Sequence, residues 1–413
     1  MTFSFIHAAD IHLGRPFSNI PNTQTCKNAV EKAFKNFIDY ALIKNVDFVL
    51  IAGDTFDSDE QDFESKLILK EGLNKLAAAD IKVFLICGNH DPISSYNKTT
   101  FNYDENSNIK IVGLNSNTYE DFIATDKNNN PIAIIHALSF KDSIFNENPT
   151  KYFSKADKNL FNIGLLHCDL DGSKESPYAP CSKGDLDTLN YDYWALGHIH
   201  IPSEKYAGTI QGRNTKETGV HGIKHVKVEN GTVVKNQFVN TDVIRFEDIE
   251  IDLSNTTEIT NAATEIQETI QQKIDTNCDL LYIRINLIGF VEYYNEVNSD
   301  FYEIISEKIK NESNEKIYVS EIKNNLISKI NENNLNEDEG ISGKLYKIIQ
   351  DKNNIKNAFI KTENQLKQLL QHCNFEEDEY QNFIKEIEKE AEETCKNLCA
   401  QIYNNESKEE LNG

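Results

Sequence analysis

The sequence contains no apolar run of the roughly 20 residues that a transmembrane helix needs. Its first residues, MTFSFIHAADIH, have no basic segment and become polar too early for a signal peptide. The eight cysteines show no paired CxxC spacing, and Cys395 and Cys399, one helical turn apart, suit a packed helix face better than a metal knuckle. We therefore predict a cytoplasmic protein with reduced thiols and no membrane association.

Positive charge is also scarce, since 42 Lys and Arg face 66 Asp and Glu, a formal net charge of −24. Residues 1–245 carry a net charge of −6 and residues 246–413 one of −18. Several acids of the first part are candidate metal ligands, so that part is closer to neutral. This balance argues against broad non-specific DNA affinity of the chain alone but leaves room for a local basic patch.

The length of 413 residues exceeds one compact core, so two or more domains are expected. Strand-like and helix-like patterns alternate over residues 3–91, which predicts an α/β sheet covered by helices. Further strands are predicted at residues 109–114, 131–140, 161–168 and 193–200. Residues 204–246 have the texture of β-hairpins, with an Asn-Gly turn at 230–231.

The texture changes after about residue 246, where a smaller α/β capping domain is predicted over residues 246–330. Residues 331–340 are a polar, acidic linker. Residues 341–413 are predicted to be helical, with helices at 341–371 and 376–403. The apolar stripe of the second helix suits docking on a partner coiled coil or packing back on the cap.

Polar side chains follow the predicted strands at their carboxyl ends, where sheets of this kind place their sites. Gly88, which precedes one such group, is expected to provide a backbone angle that other residues resist. Buried imidazoles and carboxylates clustered at one sheet edge need compensation, and together with an amide oxygen they suit a divalent cation. The residues are Asp10, His12, Asp54, Asn89, His90, Asp91, His167, His198 and His200.

The number of candidate ligands favours two ions, with Asp54 the most plausible bridge. Two ions roughly 3.5–4 Å apart activate water and neutralise phosphate oxygens during attack on phosphorus. Oxygen and nitrogen ligands without thiolates fit manganese or iron better than structural zinc.

The motifs Asp-x-His, Gly-Asp, Gly-Asn-His-Asp, a lone His and Gly-His-x-His, in this order, resemble those of the calcineurin-like metallophosphoesterases over residues 1–245. FIHAADIHLGRPF, GDTFD and LGHIH narrow the resemblance to SbcD-type DNA repair exonucleases, and IQGRNTKETGVHGI to their YhaO-like branch. The resemblance implies a four-layer αββα sandwich followed by a capping domain, with Mn²⁺ as the activating ion.

The resemblance also implies individual roles. His90 would contact the scissile phosphate or protonate the leaving oxygen. Asp91 would hold the His90 ring, or alternatively cap the following turn. One ion would be held by Asp10, His12, Asp54 and His200, and the other by Asp54, Asn89, His167 and His198.

Six further polar residues are predicted to lie outside the two ligand sets. Asp57 is either a support for the site or part of a solvated loop. His136 is expected to serve core packing, and His7 to satisfy a local hydrogen bond. A contact with the DNA backbone or a solvent-facing position is open for Arg213, Lys216 and Lys224.

The leading hypothesis is a manganese-dependent exonuclease or endonuclease for DNA ends or single strands. By resemblance it would work in DNA repair with an SMC-like coiled-coil ATPase, and it would form a homodimer as relatives often do. One alternative is a phosphodiesterase or phosphatase for a small molecule or nucleotide. Another is a mainly scaffolding subunit of a DNA-repair complex.

Overall fold

The computed structural model describes most of the chain and divides it into two compact units. The first comprises residues 1–247, 275–282 and 316–320, and the second the remainder. The predicted helix at 376–403 and the second half of the one at 341–371 lie outside the described residues, apart from isolated positions. The described residues are 2–14, 17, 26, 28–58, 60–96, 99–104, 107–114, 117–273, 277–329, 336–351, 395, 399 and 402.

A six-stranded sheet in the first unit has the order β10-β9-β1-β2-β3-β4. Neighbours among the first four strands in sequence are parallel, while β9 is antiparallel to β1 and β10 to β9. The predicted hairpin turn at Asn230-Gly231 joins β9 to β10, with both residues at positive φ. The strands are β1 Thr2–Ala8, β2 Phe48–Ala52, β3 Lys82–Ile86, β4 Ile109–Ile111, β9 Gly222–Glu229 and β10 Thr232–Asn240.

A four-stranded sheet in the same unit has the order β5-β6-β7-β8. β6, β7 and β8 are parallel neighbours, and β5 pairs antiparallel with β6 at the edge. The sequence analysis missed β5, because most of its side chains are only partly buried and give no apolar pattern. The strands are β5 Tyr119–Thr125, β6 Pro131–Leu138, β7 Phe161–His167 and β8 Tyr193–Gly197.

The two sheets pack face to face, as the side chains of β2 illustrate. Phe48, Leu50 and Ala52 lie in the core between the sheets, and Val49 and Ile51 lie in the core beneath the helices. Burial on both faces explains why the central strands read as continuous apolar runs. The predicted α/β class is confirmed.

Helices α1 (Ala29–Lys44) and α2 (Phe63–Ala78) cover the outer face of the six-stranded sheet. The carboxylate of Asp62 caps α2 by accepting the Ser65 N–H at 2.8 Å. The outer face of the four-stranded sheet packs against loops and a short helix, α3 (Lys183–Asp187). The layers therefore follow the αββα order, with a thin fourth layer.

Among the described residues, the second unit includes helices α4, α5 and α6 and most of a sheet in the order β11-β12-β13. The last strand, β13, extends beyond the predicted end at residue 321. Its second half contains many polar residues and gives no apolar pattern, so the prediction ended the strand too early. The predicted boundaries of the cap, linker and helical region remain predictions. The elements are β11 Ile244–Asp252, α4 Ile259–Lys273, β12 Leu280–Val291, α5 Ser299–Glu312, β13 Ile317–Ser328 and α6 Ile341–Gln350.

None of the helices within the described residues combines the length and the apolar composition that crossing a bilayer requires.

Candidate metal centre

The carboxyl ends of five parallel strands, β1, β2, β3, β7 and β8, bring the seven predicted metal ligands into one cluster. The backbone joins the first two ends, because Asp10 N–H donates to Gly53 O at 3.1 Å and His12 N–H to Asp54 O at 3.0 Å. Parallel neighbours end at the same edge of a sheet, so residues far apart in sequence meet here.

Four of these residues have left-handed backbone angles, which is rare outside glycine. The φ values are 49° at Asp10, 52° at His12, 49° at Asp54 and 108° at His198. Such strain persists only where the surroundings hold it, and it clusters at functional sites.

The site requires glycine at position 88 because there is no room for a side chain, and not because the backbone angle is unusual. A Cβ atom at this position would lie 2.1 Å from Oδ1 of Asp54 and 2.7 Å from its backbone nitrogen. Its φ is not among the positive values, so the expectation based on backbone angle was wrong. Any larger residue would displace the carboxylate of Asp54.

One group of ligand atoms centres on two imidazoles. Nε2 of His12 and Nε2 of His200 lie 3.2 Å apart, and the ligand atoms of Asp10, His12 and His200 lie within 4.8 Å of one another. Nε2 of His12 is also 3.9 Å from Oδ2 of Asp54. Burial lowers the pKa of His12 to about 3, and the Arg213 charge adds to the effect. The neutral imidazole of His12 is therefore available as a ligand.

A second group centres on His167, which is fully buried. Its Nδ1–H donates to Ala52 O at 2.9 Å, which directs Nε2 to Oδ1 of Asn89 at 3.0 Å and Oδ2 of Asp54 at 3.4 Å. Burial opposes a charge on this ring, but Asp54 and Asp10 outweigh it and raise the pKa of His167 to about 9. Nε2 of His167 thus lies close to two oxygen donors, as the ligands of one cation would.

His198 borders the second group. Its ring lies 5.2 Å from that of His167. Its backbone N–H donates to both carboxylate oxygens of Asp10, at 3.0 and 3.1 Å. Burial, with the charge of His167, lowers the pKa of His198 to about 4. The neutral ring is ready to ligate.

The arrangement fits two divalent cations. It offers carboxylate, amide and imidazole donors without sulfur, and the Nε2 atoms of His12 and His200 lie 3.2 Å apart, close enough to ligate one cation. Asp54 contacts both groups, as a bridging ligand would. The charge of His167 and its hydrogen bond to Asp54 hold the pKa of Asp54 well below its usual range despite burial.

The comparisons with known proteins agree with this geometry. The model of the calcineurin-like phosphoesterase family matches residues 3–202. The uncharacterized metallophosphoesterase YhaO of Bacillus subtilis (strain 168) is 31% identical over 283 residues, which cover 65% of this chain and 68% of that protein. The chain belongs to the calcineurin-like phosphoesterase family.

Among solved structures, a dimetal phosphatase from Danio rerio matches with 12% identity and a TM-score of 0.34, covering 58% of this chain and 97% of that one. Family membership and the clustered donors together indicate a metal-dependent phosphoester hydrolase.

His90 of this phosphoesterase lies beside the first group, with its ring 5.0 Å from that of His12. Its backbone N–H donates to Oδ1 of Asp54 at 2.9 Å, and Nδ1 of its ring lies 2.7 Å from Asp57 O. Because a carbonyl only accepts, Nδ1 carries a proton, and Nε2 is the ring nitrogen left for other contacts.

Asp91 does not hold the His90 ring, and this expectation was wrong. Its Oδ1 accepts the Gly88 N–H at 2.8 Å, and its Oδ2 accepts Thr55 N–H at 2.8 Å, Phe56 N–H at 3.2 Å and Tyr96 O–H at 2.9 Å. Burial and the nearby charge of Asp54 raise its pKa to about 7 against these four bonds. Asp91 ties the loop after β3 to the loop after β2. The backbone N–H groups that it accepts belong to Gly88, Thr55 and Phe56, so it does not cap the following turn, which was the alternative prediction.

The Asp91→Asn variant is expected to lose about 3 kcal/mol of unfolding free energy at pH 8. Both carboxylate oxygens accept from donors, so the amide NH₂ of asparagine would face a donor in a buried position. Urea denaturation of the metal-free protein measures the loss. Asp126→Asn, on a surface turn, is the control and should change little; equal stability of both variants would contradict this assignment.

Glu217 belongs to the site although no sequence signal marked it. Its Oε1 lies 2.8 Å from Nδ1 of His200, and its Oε2 accepts the Arg213 N–H at 2.7 Å. Burial opposes its ionisation, but His200 and Arg213 outweigh it and hold the pKa of Glu217 at about 2. Asp57 also belongs here, since its Oδ1 lies 3.2 Å from Nδ1 of His12.

The three predicted DNA contacts have different places. Arg213 is buried against Asp57 and Glu217, and Lys224 is buried with its ammonium donating to the carbonyls of Ser203 and Glu204. The prediction placed both side chains on the surface, which was wrong. Because both are buried, neither contacts a DNA backbone in this conformation. Lys216 is exposed, as that role requires.

Two further histidines have structural contacts. Nδ1 and Nε2 of His7 lie 3.0 Å from Tyr193 O–H and Leu196 O, so both ring nitrogens are satisfied. His136 stacks on Tyr191 at 4.2 Å between centroids and contacts Asp121 at 2.7 Å. Core packing, the expected role of His136, agrees with these contacts.

Proposed function

We propose that the protein is a manganese-dependent nuclease that hydrolyses DNA phosphodiesters during repair. The observation that carries the proposal is the pair of donor groups that share Asp54, with His90 beside them. The choice of DNA as substrate is supported by the resemblance of FIHAADIHLGRPF and LGHIH to SbcD-type exonucleases.

The residues divide into two ligand sets in this proposal, and Asp54 belongs to both. The ions, when bound, activate water and neutralise the non-bridging phosphate oxygens. The first set is Asp10, His12, Asp54 and His200, and the second is Asp54, Asn89, His167 and His198.

His90 acts at the leaving oxygen. The hydrogen bond from Nδ1 to Asp57 O orients the ring, so in the imidazolium form Nε2–H donates to the oxygen on which charge develops. The N–H contact with Asp54 fixes the backbone of His90 against a metal ligand. A displacement of either partner therefore moves the acid relative to the ions.

The partner in this proposal is an SMC-like coiled-coil ATPase that docks on residues 341–413, with homodimerisation through the phosphoesterase part. A partner of this kind would supply the positive surface that a chain of net charge −24 lacks. Co-purification of the ATPase with the full chain but not with a chain ending at residue 340 tests the docking region.

One activity panel tests the substrate. Linear duplex DNA, linear single-stranded DNA, circular single-stranded DNA and bis(p-nitrophenyl) phosphate are each incubated with Mn²⁺, Mg²⁺ or Zn²⁺. We expect Mn²⁺-dependent loss of the linear DNAs, and cutting of the circle would add an endonuclease activity. Asp54→Asn serves as the control for contaminating nucleases. Hydrolysis of the small diester with every DNA intact would refute the nuclease and favour a small-molecule phosphodiesterase.

A further inference from the structure

We propose that Glu217 and Arg213 are positioning residues that select the metal-binding tautomer of His200. Glu217 accepts a hydrogen bond from Nδ1–H of His200, and Arg213 holds Glu217 in place. The inference rests on the proposed metal-dependent function, since it concerns one of the two ligand sets.

The geometry places two competing groups on one nitrogen. Nδ1 of His200 lies 2.8 Å from Oε1 of Glu217 and 3.2 Å from Nη2 of Arg213. Nε2 of the same ring lies 3.2 Å from Nε2 of His12. The state of Nδ1 therefore decides what Nε2 presents to the first ligand group.

The two partners have opposite effects on the ring. A guanidinium only donates, so if Nδ1 of His200 accepts from Arg213, the proton of the neutral imidazole sits on Nε2 and blocks a cation there. A carboxylate only accepts, so a bond from Nδ1–H to Glu217 leaves the Nε2 lone pair open for an ion. Glu217 supports metal binding, and Arg213 without Glu217 opposes it.

Other contacts of Arg213 keep its guanidinium from donating a hydrogen bond to Nδ1 of His200. Its Nη1 lies 3.3 Å from Oδ1 of Asp57 and its Nη2 3.5 Å from Oε1 of Glu217, while its backbone N–H donates to Oε2 of Glu217. Its side chain is only 3% exposed. One buried guanidinium thus joins the two carboxylates that reach the Nδ1 atoms of His12 and His200.

The second ligand group has a different support. Nδ1 of His167 donates to the backbone carbonyl of Ala52, which no side-chain substitution removes. The effect of changing Glu217 should therefore fall on one ion of the two.

The experiment is calorimetric titration of Mn²⁺ into chelator-treated full-length protein. Glu217→Leu is expected to weaken one of two binding steps by about 10–100-fold, the range for loss of a ligand-supporting carboxylate. Arg213→Met combined with Glu217→Leu should recover part of this loss, because the competing donor is gone. Glu217→Gln, which keeps an acceptor oxygen, should bind more tightly than the leucine variant.

A second measurement reads the tautomer without any metal. In ¹⁵N-histidine spectra of the metal-free protein, Nε2 of His200 should be unprotonated in the wild type and protonated in Glu217→Leu. Glu204→Leu makes the same substitution at an exposed position and should leave both measurements unchanged.

Two outcomes would overturn the inference. One is a double variant that binds Mn²⁺ no better than Glu217→Leu, since Glu217 would then be a structural residue. The other is an unchanged His200 tautomer in Glu217→Leu. A wild-type protein that binds no Mn²⁺, Mg²⁺ or Zn²⁺ would instead refute the proposed function, and the inference with it.

Discussion

The His90→Ala variant is expected to hydrolyse phosphodiesters about 10²–10⁴-fold more slowly than the wild type while binding the same number of metal ions. Nδ1 of this ring is committed to Asp57 O, and Nε2 is left to face substrate. His90 belongs to neither proposed ligand set, so its loss removes a proton donor and leaves the ligands in place. Single-turnover rates at saturating Mn²⁺ and calorimetric metal titration measure the two quantities.

His225→Ala is the matched control for this experiment. His225 is half-buried and pairs with Tyr40, so its removal tests for a general effect of losing an imidazole. A His90→Ala enzyme with wild-type turnover would exclude the acid role. A variant that lost its metal as well would place His90 among the ligands.

The Asp54→Asn variant is expected to lose both metal ions, and with them all activity in the panel. Oδ2 of Asp54 lies 3.4 Å from Nε2 of His167 and 3.9 Å from Nε2 of His12, so one carboxylate contributes to both groups. Replacing it by a neutral amide removes the bridging charge that offsets two dications. The amide can still accept the His90 N–H, so the fold should survive.

Thermal unfolding measures this loss without relying on catalysis. A ligand present at 1,000 times its Kd stabilises a protein by about 4 kcal/mol, so Mn²⁺ should raise the Tm of the wild type. The Tm of Asp54→Asn should not respond to Mn²⁺. Asp39→Asn, on the surface of α1, should respond as the wild type does. A full Tm shift in Asp54→Asn would show that the ions bind elsewhere.

The two variants separate the functions of neighbouring groups. Loss of turnover with metal retained assigns His90 to the substrate, whereas loss of both assigns Asp54 to the ions. A scaffolding subunit would show neither effect on activity.

Much of this phosphoesterase could be predicted from local sequence. Apolar runs such as those of β1, β2 and β3 mark strands buried on both faces, and the polar residues directly after them mark the carboxyl ends. Because parallel strands end at one edge, Asp10, Asp54 and Asn89 had to meet once the strands were recognised. The edge strand β5 was missed, since a half-exposed strand lacks an apolar signature.

The separate roles of three consecutive polar residues follow from their tertiary contacts. Asn89, His90 and Asp91 are consecutive, yet one faces His167, one donates to Asp57 O and one ties two loops together. The turn sets these directions through its dihedral angles, which composition does not encode. Arg213 lies more than 150 residues beyond Asp57, and Glu217 lies 17 residues beyond His200, so neither contact shows in a local sequence pattern. Local sequence thus sets which chemical groups gather at the sheet edge, because the apolar runs mark where the strands end. Their hydrogen-bond partners depended on distances between distant segments, which packing alone sets.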